Sequence, residues 1–286
     1  MPELPDVVVY CEALERFYTG KTLERLELKS PFLVRTFEPD LAEAQGRRVE
    51  GFSRIGKRIV WRLEGELFLV VHLMIAGRFH QRAPGKQPTG KNELLAFHLV
   101  DCSEEHSTLM VTEASPKKRA ALHVVAGEAN LAAHNPGGVE PLDCTSETFA
   151  RLLKSENHTL KRSLTNPRLF SGIGNAYSDE ILHAARLSPI FHTKRMSDEQ
   201  IARLYAAMQQ TLTEWTERLR QDVGDGFPEK VTAFRSEMAV HGRHGLPCPV
   251  CQTAVQRIRY ASNETNYCPR CQTEGKVLAD RSLSRL

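Results

Sequence analysis

Residues 164–189 read LTNPRLFSGIGNAYSDEILHAARLSP, and the fold turns on how the chain passes through SGIGN at 171–175. A helix is expected from Asn175 to Leu187, stopping before Pro189. Gly172 and Gly174 precede it and allow backbone angles that other residues avoid. Consecutive N–H groups at a helix N-terminus form an anion site suited to a phosphate. A plain tight turn between two helices would use the same two glycines, so this stretch alone leaves both readings open.

The surrounding pattern is helical from about residue 145. SETFARLLKS (146–155) starts at a Ser cap. In SDEQIARLYAAMQQTLTEWTERLRQDVG (197–224), Ser197 and Gln200 have the spacing of a capping box. Ile201, Leu204, Tyr205, Met208, Leu212, Trp215 and Leu219 recur at helical spacing, and Gly224 is a stop. These aromatics read as core. Towards the N-terminus, from about 21 to 125, ELFLVVHLMI, LLAFHLV and STLMVTEA are short, apolar or β-branched runs broken by Gly, Pro and polar turns, as strands are. AHNPGGVEPLD (133–143) is the expected hinge between a β half and a helical half.

Seven cysteines divide unevenly. Cys11, Cys102 and Cys144 are scattered and read as small buried hydrophobes. Cys248, Cys251, Cys268 and Cys271 form C-x2-C-x16-C-x2-C, the spacing of two knuckles that close a tetrahedron around one zinc. Two disulfides are the alternative, but the chain shows no secretory signal. Four thiolates leave no open coordination position, so the expected Zn2+ is structural. The residues between the knuckles alternate loosely, with a turn at SNET, as in a β-hairpin. Residues 241–286 hold seven Lys/Arg and three acids, a surplus of four. A bound Zn(Cys)4 centre, at −2, lowers that to about two. RIGKRIVWR (54–62) and SPKKR (115–119) are further basic clusters.

At 286 residues, 41% hydrophobic and 26% charged, with net charge +3, the composition is that of a globular protein. The longest apolar run, LFLVVHLMIAG (67–77), is broken by His72 and far short of a membrane span. The acidic N-terminus lacks a signal-peptide pattern. A soluble cytoplasmic, nucleoid-associated protein is expected.

The first six residues are MPELPD. Pro5 and Asp6 suit the opening of a helix, with Val8, Cys11 and Leu14 at helical spacing and Gly20 as a stop. Pro2 and Glu3 lie before it. After removal of Met1, Pro2 would present a secondary amine, and an α-amino group has a pKa near ~8. Attack of that amine on a sugar C1′ gives an iminium, an electron sink for elimination. Glu3 could protonate a departing or ring-opening oxygen.

MPELPD, the Gly56–Lys57 pair, NPRLFSGIGNAYSDEIL and the four-cysteine knuckle occur in that order, and together they resemble the formamidopyrimidine-DNA glycosylase family, which also contains endonuclease VIII. The resemblance spans almost the whole chain. It implies an α+β multidomain fold: an N-terminal two-layer β-sandwich flanked by helices (1–132), a helix–two-turn–helix domain (145–240), and a four-cysteine zinc β-hairpin with a basic tail (241–286). It implies a bifunctional DNA glycosylase and AP lyase of base excision repair, acting as a monomer on damaged double-stranded DNA, with single-stranded DNA the next partner. By resemblance, Pro2 is the nucleophile, Glu3 the acid, and Lys57 lies near the scissile phosphate and sugar. His72 and Asn175 match phosphate contacts, Asn175 acting with the Gly172–Gly174 backbone, though a core role for His72 remains open. A flipped nucleotide leaves a gap. Met74 and Ile75 of HLMIAG, and Lys117, Lys118 and Arg119 of SPKKRA, stand where the family fills it.

The chain departs from the family pattern. Asn263 takes the place of a phosphate-gripping hairpin arginine, which Arg257 or Arg259 could replace. His241 replaces a tyrosine, and Asp6 a glutamate. Ile75, Lys117 and Arg119 replace a methionine, an arginine and a phenylalanine. A non-catalytic or lyase-only binder of damaged DNA is the second reading, but a non-catalytic binder has no need of Pro2 and Glu3. A sequence-specific regulator is the third. It expects a recognition helix rich in Arg, Asn or Gln, and none is found.

Overall fold

The structure, a computed structural model, describes residues 1–229, 231, 234–260 and 263–279, with the backbone alone at 260 and 263. Two compact units form: residues 1–136 with 218–232, and residues 137–217 with 233–286.

The first unit opens with helix α1 (Leu4–Tyr18). Eight strands follow: β1 (Thr22–Leu28), β2 (Val49–Ile55), β3 (Arg58–Leu63), β4 (Leu67–His72), β5 (Gly77–Arg82), β6 (Glu93–Val100), β7 (His106–Glu113) and β8 (Ala121–Ala126). A short helix, α2 (Glu128–Ala132), ends the run. The strands make two antiparallel four-stranded sheets, ordered β1-β6-β7-β5 and β2-β3-β4-β8. Alternation along each strand divides their residues between two faces. Ile59, Trp61 and Leu63 of β3 and Leu67, Leu69 and Val71 of β4 join Leu95, Phe97, Leu109 and Val111 of the other sheet in one core. Trp61 stacks on Phe97 at 4.6 Å between ring centroids. The opposite face of the second sheet carries a smaller cluster of Val60, Phe68, Val70 and Val125, with Leu131 of α2. These are the two layers of the expected β-sandwich.

Helix α1 buries Val7, Tyr10, Leu14 and Tyr18; of the expected stripe Leu14 is buried, but Val8 and Cys11 are only half-buried. Nor are the other two lone cysteines buried as expected, Cys144 being half-buried and Cys102 exposed on the turn after β6. The bulky Tyr10 and Tyr18 set the face, because their rings pack against Phe79 and Trp61. Helix α1 also starts earlier than expected, with Glu3 as its N-cap.

The second unit holds α3 (Ser146–Ser155), α4 (Leu160–Leu164), α5 (Asn175–Ala184) and the greater part of α6 (Asp198–Val223), then a hairpin of β9 (Gln256–Tyr260) and β10 (Asn263–Tyr267), and α7 (Pro269–Gln272). The cap of α3 is Thr145, whose hydroxyl accepts the Thr148 N–H at 3.2 Å; Ser146, expected as the cap, is already helical. The α6 capping box forms as expected: Gln200 Oε1 accepts the Ser197 N–H at 3.0 Å, and Ser197 Oγ accepts the Gln200 N–H at 3.2 Å. Helix α5 stops at Ala184, three residues short of expectation. Arg186 turns left-handed, at φ 53°, and the Leu187 N–H reaches back to the Leu182 carbonyl at 3.0 Å, closing the helix before Pro189 acts. In the hairpin, Asn263, Glu264 and Thr265 of the expected SNET turn belong to β10, and Ser262, the first residue of that stretch, lies outside the described residues.

Candidate active site and metal centre

Glu3 is 2% exposed and Pro2 is buried. Glu3 and Asp6 form a capping box at the start of α1, in which the Glu3 N–H donates to Asp6 Oδ2 at 2.9 Å. Two orphan amides of the first helical turn are thereby satisfied. At Met1 the terminal amine has its pKa lowered, first by burial; the Glu3 carboxylate opposes this, Arg78 adds to it, Asp6 opposes, and Lys57 adds. These four side chains therefore share the electrostatic environment of the terminus. Lys57 is half-buried in the two-residue turn between β2 and β3, where Gly56 takes φ 61°, a conformation glycine adopts without strain. Arg78 was not singled out from the sequence. Its signal is one arginine after the glycine that opens a strand, which periodicity does not separate from a surface residue.

His72 ends β4. The registers Ile59 with Val71, Val71 with Leu122 and Val70 with His123 put Arg58, His72 and His123 on the sheet face away from the main core. His72 Nε2 is buried without a hydrogen-bond partner. Its pKa is lowered to about 4, first by burial and then by Arg58, Lys57 and His123. His123 meets His134 edge-on at 5.1 Å, and Arg58 Nη1 donates to the His134 carbonyl at 2.7 Å. This is a concentration of cationic and imidazole groups in which His72 keeps a ring nitrogen unused.

Pairing of β5 with β7 brings together the two loops expected to fill the gap, since the Ala114 N–H bonds the Ala76 carbonyl at 3.4 Å. In the first loop Met74 takes φ 53° and Ile75 projects, 59% exposed. In the second, the buried Glu113 carboxylate accepts the N–H groups of Arg119 at 2.8 Å and Ala120 at 3.0 Å. Lys117 and Arg119 are exposed, whereas Lys118 turns its ammonium back onto the Glu113 carbonyl. Glu113, which shapes this loop, was not anticipated. A lone acid at a strand end carries no signal of what it will hold.

In the second unit Gly172 takes φ 77°, but Gly174, the N-cap of α5, has the extended φ −130° that any residue adopts. Only one of the two glycines is therefore required by its conformation. Asn175 opens α5. Its Nδ2 donates to the Glu264 carbonyl of β10 at 2.7 Å, and its own carbonyl accepts Lys161 Nζ at 2.6 Å. Lys161 also pairs with the buried Asp179 at 2.5 Å. The other Asp179 oxygen lies 2.8 Å from His241 Nδ1, so the residue that replaces the family tyrosine is held by a buried carboxylate. Arg257 is engaged by Glu264 at 3.6 Å, and Arg259 is exposed. Asn263 opens β10, and its side chain lies outside the described residues.

The sulfurs of Cys248, Cys251, Cys268 and Cys271 lie within 4.8 Å of one another. Cys248 and Cys271 are 4.0 Å apart and Cys251 and Cys268 3.4 Å. Four Zn–S bonds of ~2.3 Å directed to a tetrahedron separate the sulfurs by about 3.8 Å, so the cluster has the size of a zinc site. An all-thiolate set suits zinc and excludes the hard oxygen-seeking cations.

Family models match along the chain: the formamidopyrimidine-DNA glycosylase N-terminal domain at residues 1–114, the H2TH domain of the same enzyme at 138–223, and a zinc finger found in FPG and IleRS at 245–273. An uncharacterized formamidopyrimidine-DNA glycosylase-like protein of Mycobacterium tuberculosis is 42% identical over 149 residues, 52% of this chain and 92% of that one. The formamidopyrimidine-DNA glycosylase of Thermus thermophilus is 33% identical over 287 residues, covering 96% of this chain and all of that one. Among solved structures, wild-type Lactococcus lactis Fpg in complex with a DNA containing an oxidized pyrimidine superposes with a TM-score of 0.81 at 25% identity, over 95% of this chain and all of that one. The sandwich, the helical unit and the four-thiolate hairpin define a zinc-bearing DNA-repair glycosylase. The chain belongs to the formamidopyrimidine-DNA glycosylase family, whose members act in base excision repair. Its C-terminal module carries one structural zinc. Among the described residues, no helix is long and apolar enough to cross a membrane.

Proposed function

We propose that this protein is a bifunctional DNA glycosylase and AP lyase that excises oxidised bases and cuts abasic sites through a Schiff base on Pro2. The observation that carries this reading is the buried Glu3 at the cap of α1, directly after Pro2, with Arg78 and Lys57 near enough to add to the burial that lowers the pKa of the Met1 amine, against the opposing pull of Glu3 and Asp6. With Met1 removed, the unprotonated Pro2 nitrogen attacks C1′. The glycosidic bond breaks, and the base leaves with the electron pair and takes up the proton that the Pro2 nitrogen loses. Glu3 protonates the ring oxygen as the sugar opens. The iminium acidifies the C2′ proton; its loss expels the 3′ phosphate in β-elimination, and δ-elimination then expels the 5′ phosphate. Hydrolysis of the remaining iminium frees Pro2.

The partner is damaged double-stranded DNA, a reading supported by the DNA containing an oxidized pyrimidine in the Lactococcus lactis complex, and this protein binds it as a monomer. Lys57, His72, and Asn175 with the Gly172–Gly174 backbone take phosphates, and a sequence-independent, salt-sensitive affinity follows. Ile75 and Met74, with Lys117, Lys118 and Arg119, fill the gap of the flipped nucleotide. Single-stranded DNA is the next partner.

The test is incision of an abasic duplex by three proteins: one with a free Pro2, one with an N-terminal tag, and Pro2→Gly. The tag should abolish incision and Pro2→Gly should slow it strongly. Normal incision by the tagged protein contradicts the reading.

A further inference from the structure

The zinc module is bound to α5 by side chains that recur every four residues, one face of a helix. Asn175 holds the Glu264 carbonyl, Asp179 accepts the Asn266 N–H at 3.1 Å, and His183 Nε2 lies 3.3 Å from the sulfur of Cys248. Beside this stripe, Glu180 accepts the N–H groups of Ala239, Val240 and His241 at 2.7, 2.9 and 2.9 Å. From Gln272 of α7 the side-chain amide donates to the Leu187 carbonyl, just past α5, at 2.9 Å. His183 is 6% exposed and Cys248 fully buried, so water does not compete for the contact.

We infer that His183 is a positioning residue of the zinc site: its Nε2–H donates to the Cys248 thiolate and sets how that sulfur holds the metal. A metal-bound thiolate has lone pairs and no proton, so the imidazole nitrogen facing it is the donor. Four thiolates around a dication leave a net charge of −2, here beside two fully buried cysteines, Cys248 and Cys268. An N–H directed at one sulfur disperses that charge, as outer-shell partners do at other metal sites. The inference rests on the zinc assignment alone and is independent of the chemistry at Pro2.

Cobalt is the probe, because it occupies tetrahedral thiolate sites and reports sulfur-to-metal charge transfer by its absorption. A hydrogen bond lowers the energy of the sulfur donor orbital, so losing the bond moves the band to longer wavelength. In the full chain, His183→Phe should shift the cobalt band to longer wavelength and weaken zinc retention against a chromophoric chelator by about 10-fold or more. His183→Gln keeps an N–H donor and should restore much of both. Should His183→Phe not fold, His183→Met replaces it, since a thioether fills the site without an N–H. An unshifted band in the Phe or Met protein overturns the inference whatever happens to stability. So does a Gln variant that shifts as far as they do, because lost packing alone would then account for the effect.

Discussion

The main-chain N–H of Glu3 donates to the Asp6 carboxylate at 2.9 Å, and both side chains are buried, each 2% exposed. The proposed acid is thus also the N-cap of the first helix, and its two roles separate experimentally. Asp6→Ala removes the capping partner and should cost about 1 kcal/mol of stability, read as a lowered Tm. Glu3→Gln keeps the shape and an acceptor oxygen at the cap, so it should leave the Tm within a few degrees while abasic-site incision falls by about 100-fold or more. Equal losses of Tm in the two variants, with incision following Tm, would reduce Glu3 to a cap.

The His72 pKa, held near 4 by burial and by the Arg58 and Lys57 cations, gives stability a pH dependence. The unfolded chain binds this proton near pH ~6.5. Between about 6.5 and 4 the unfolded state therefore carries more protons than the folded one, and acid favours unfolding. The contribution of His72 is complete above that window and is lost as pH falls through it. Urea unfolding at pH 7.5 and pH 5 should show a smaller drop for His72→Leu than for the wild type. Equal drops would mean that His72 titrates alike in both states.

Gly77 is required by close approach. A Cβ built on it meets the Leu73 carbonyl oxygen at 2.2 Å, and the Gly77 N–H bonds that same oxygen at 2.8 Å. Gly77→Ala should open the 73–77 turn that projects Ile75 and destabilise the protein by about 1–3 kcal/mol. Thermal unfolding and protease cleavage at the loop measure this, and an unchanged Tm with an uncut loop would contradict it.

In the proposed reading the exposed Lys117 and Arg119 bear on substrate choice. Lysine is a flexible point charge and cannot offer a cytosine the planar fork of an arginine. Arg119 can stack by its guanidinium plane but is a poor dry wedge. Opposite-base discrimination is therefore expected to be weak, and excision of 8-oxoguanine opposite cytosine slower than abasic-site incision. Single-turnover excision opposite each normal base is the measurement. A strong cytosine preference at a rate near the abasic control would show that these loops still read the partner base.

The sequence was most informative where one residue type has few uses. Four cysteines at C-x2-C spacing leave little but a zinc knuckle, and the Ser197–Gln200 box announces α6. It was least informative where packing chooses among equivalent faces. Val8 and Cys11 have the same helical spacing as Val7 and Tyr10, and only the rings of Phe79 and Trp61 decide which stripe is buried. Arg78, Glu113 and His183 were missed for a related reason. Each acquires its role from a partner far along the chain or from the path of the backbone, such as Cys248 for His183. The left-handed turn at Arg186, which shortens α5, has no glycine to mark it.

The covalent intermediate tests the central claim most directly. Borohydride reduction during reaction with an abasic duplex should trap one DNA adduct per chain, and peptide mass spectrometry should find it on the N-terminal peptide, at the Pro2 nitrogen. An adduct on Lys57 or any other lysine, with Pro2 unmodified, would contradict the account.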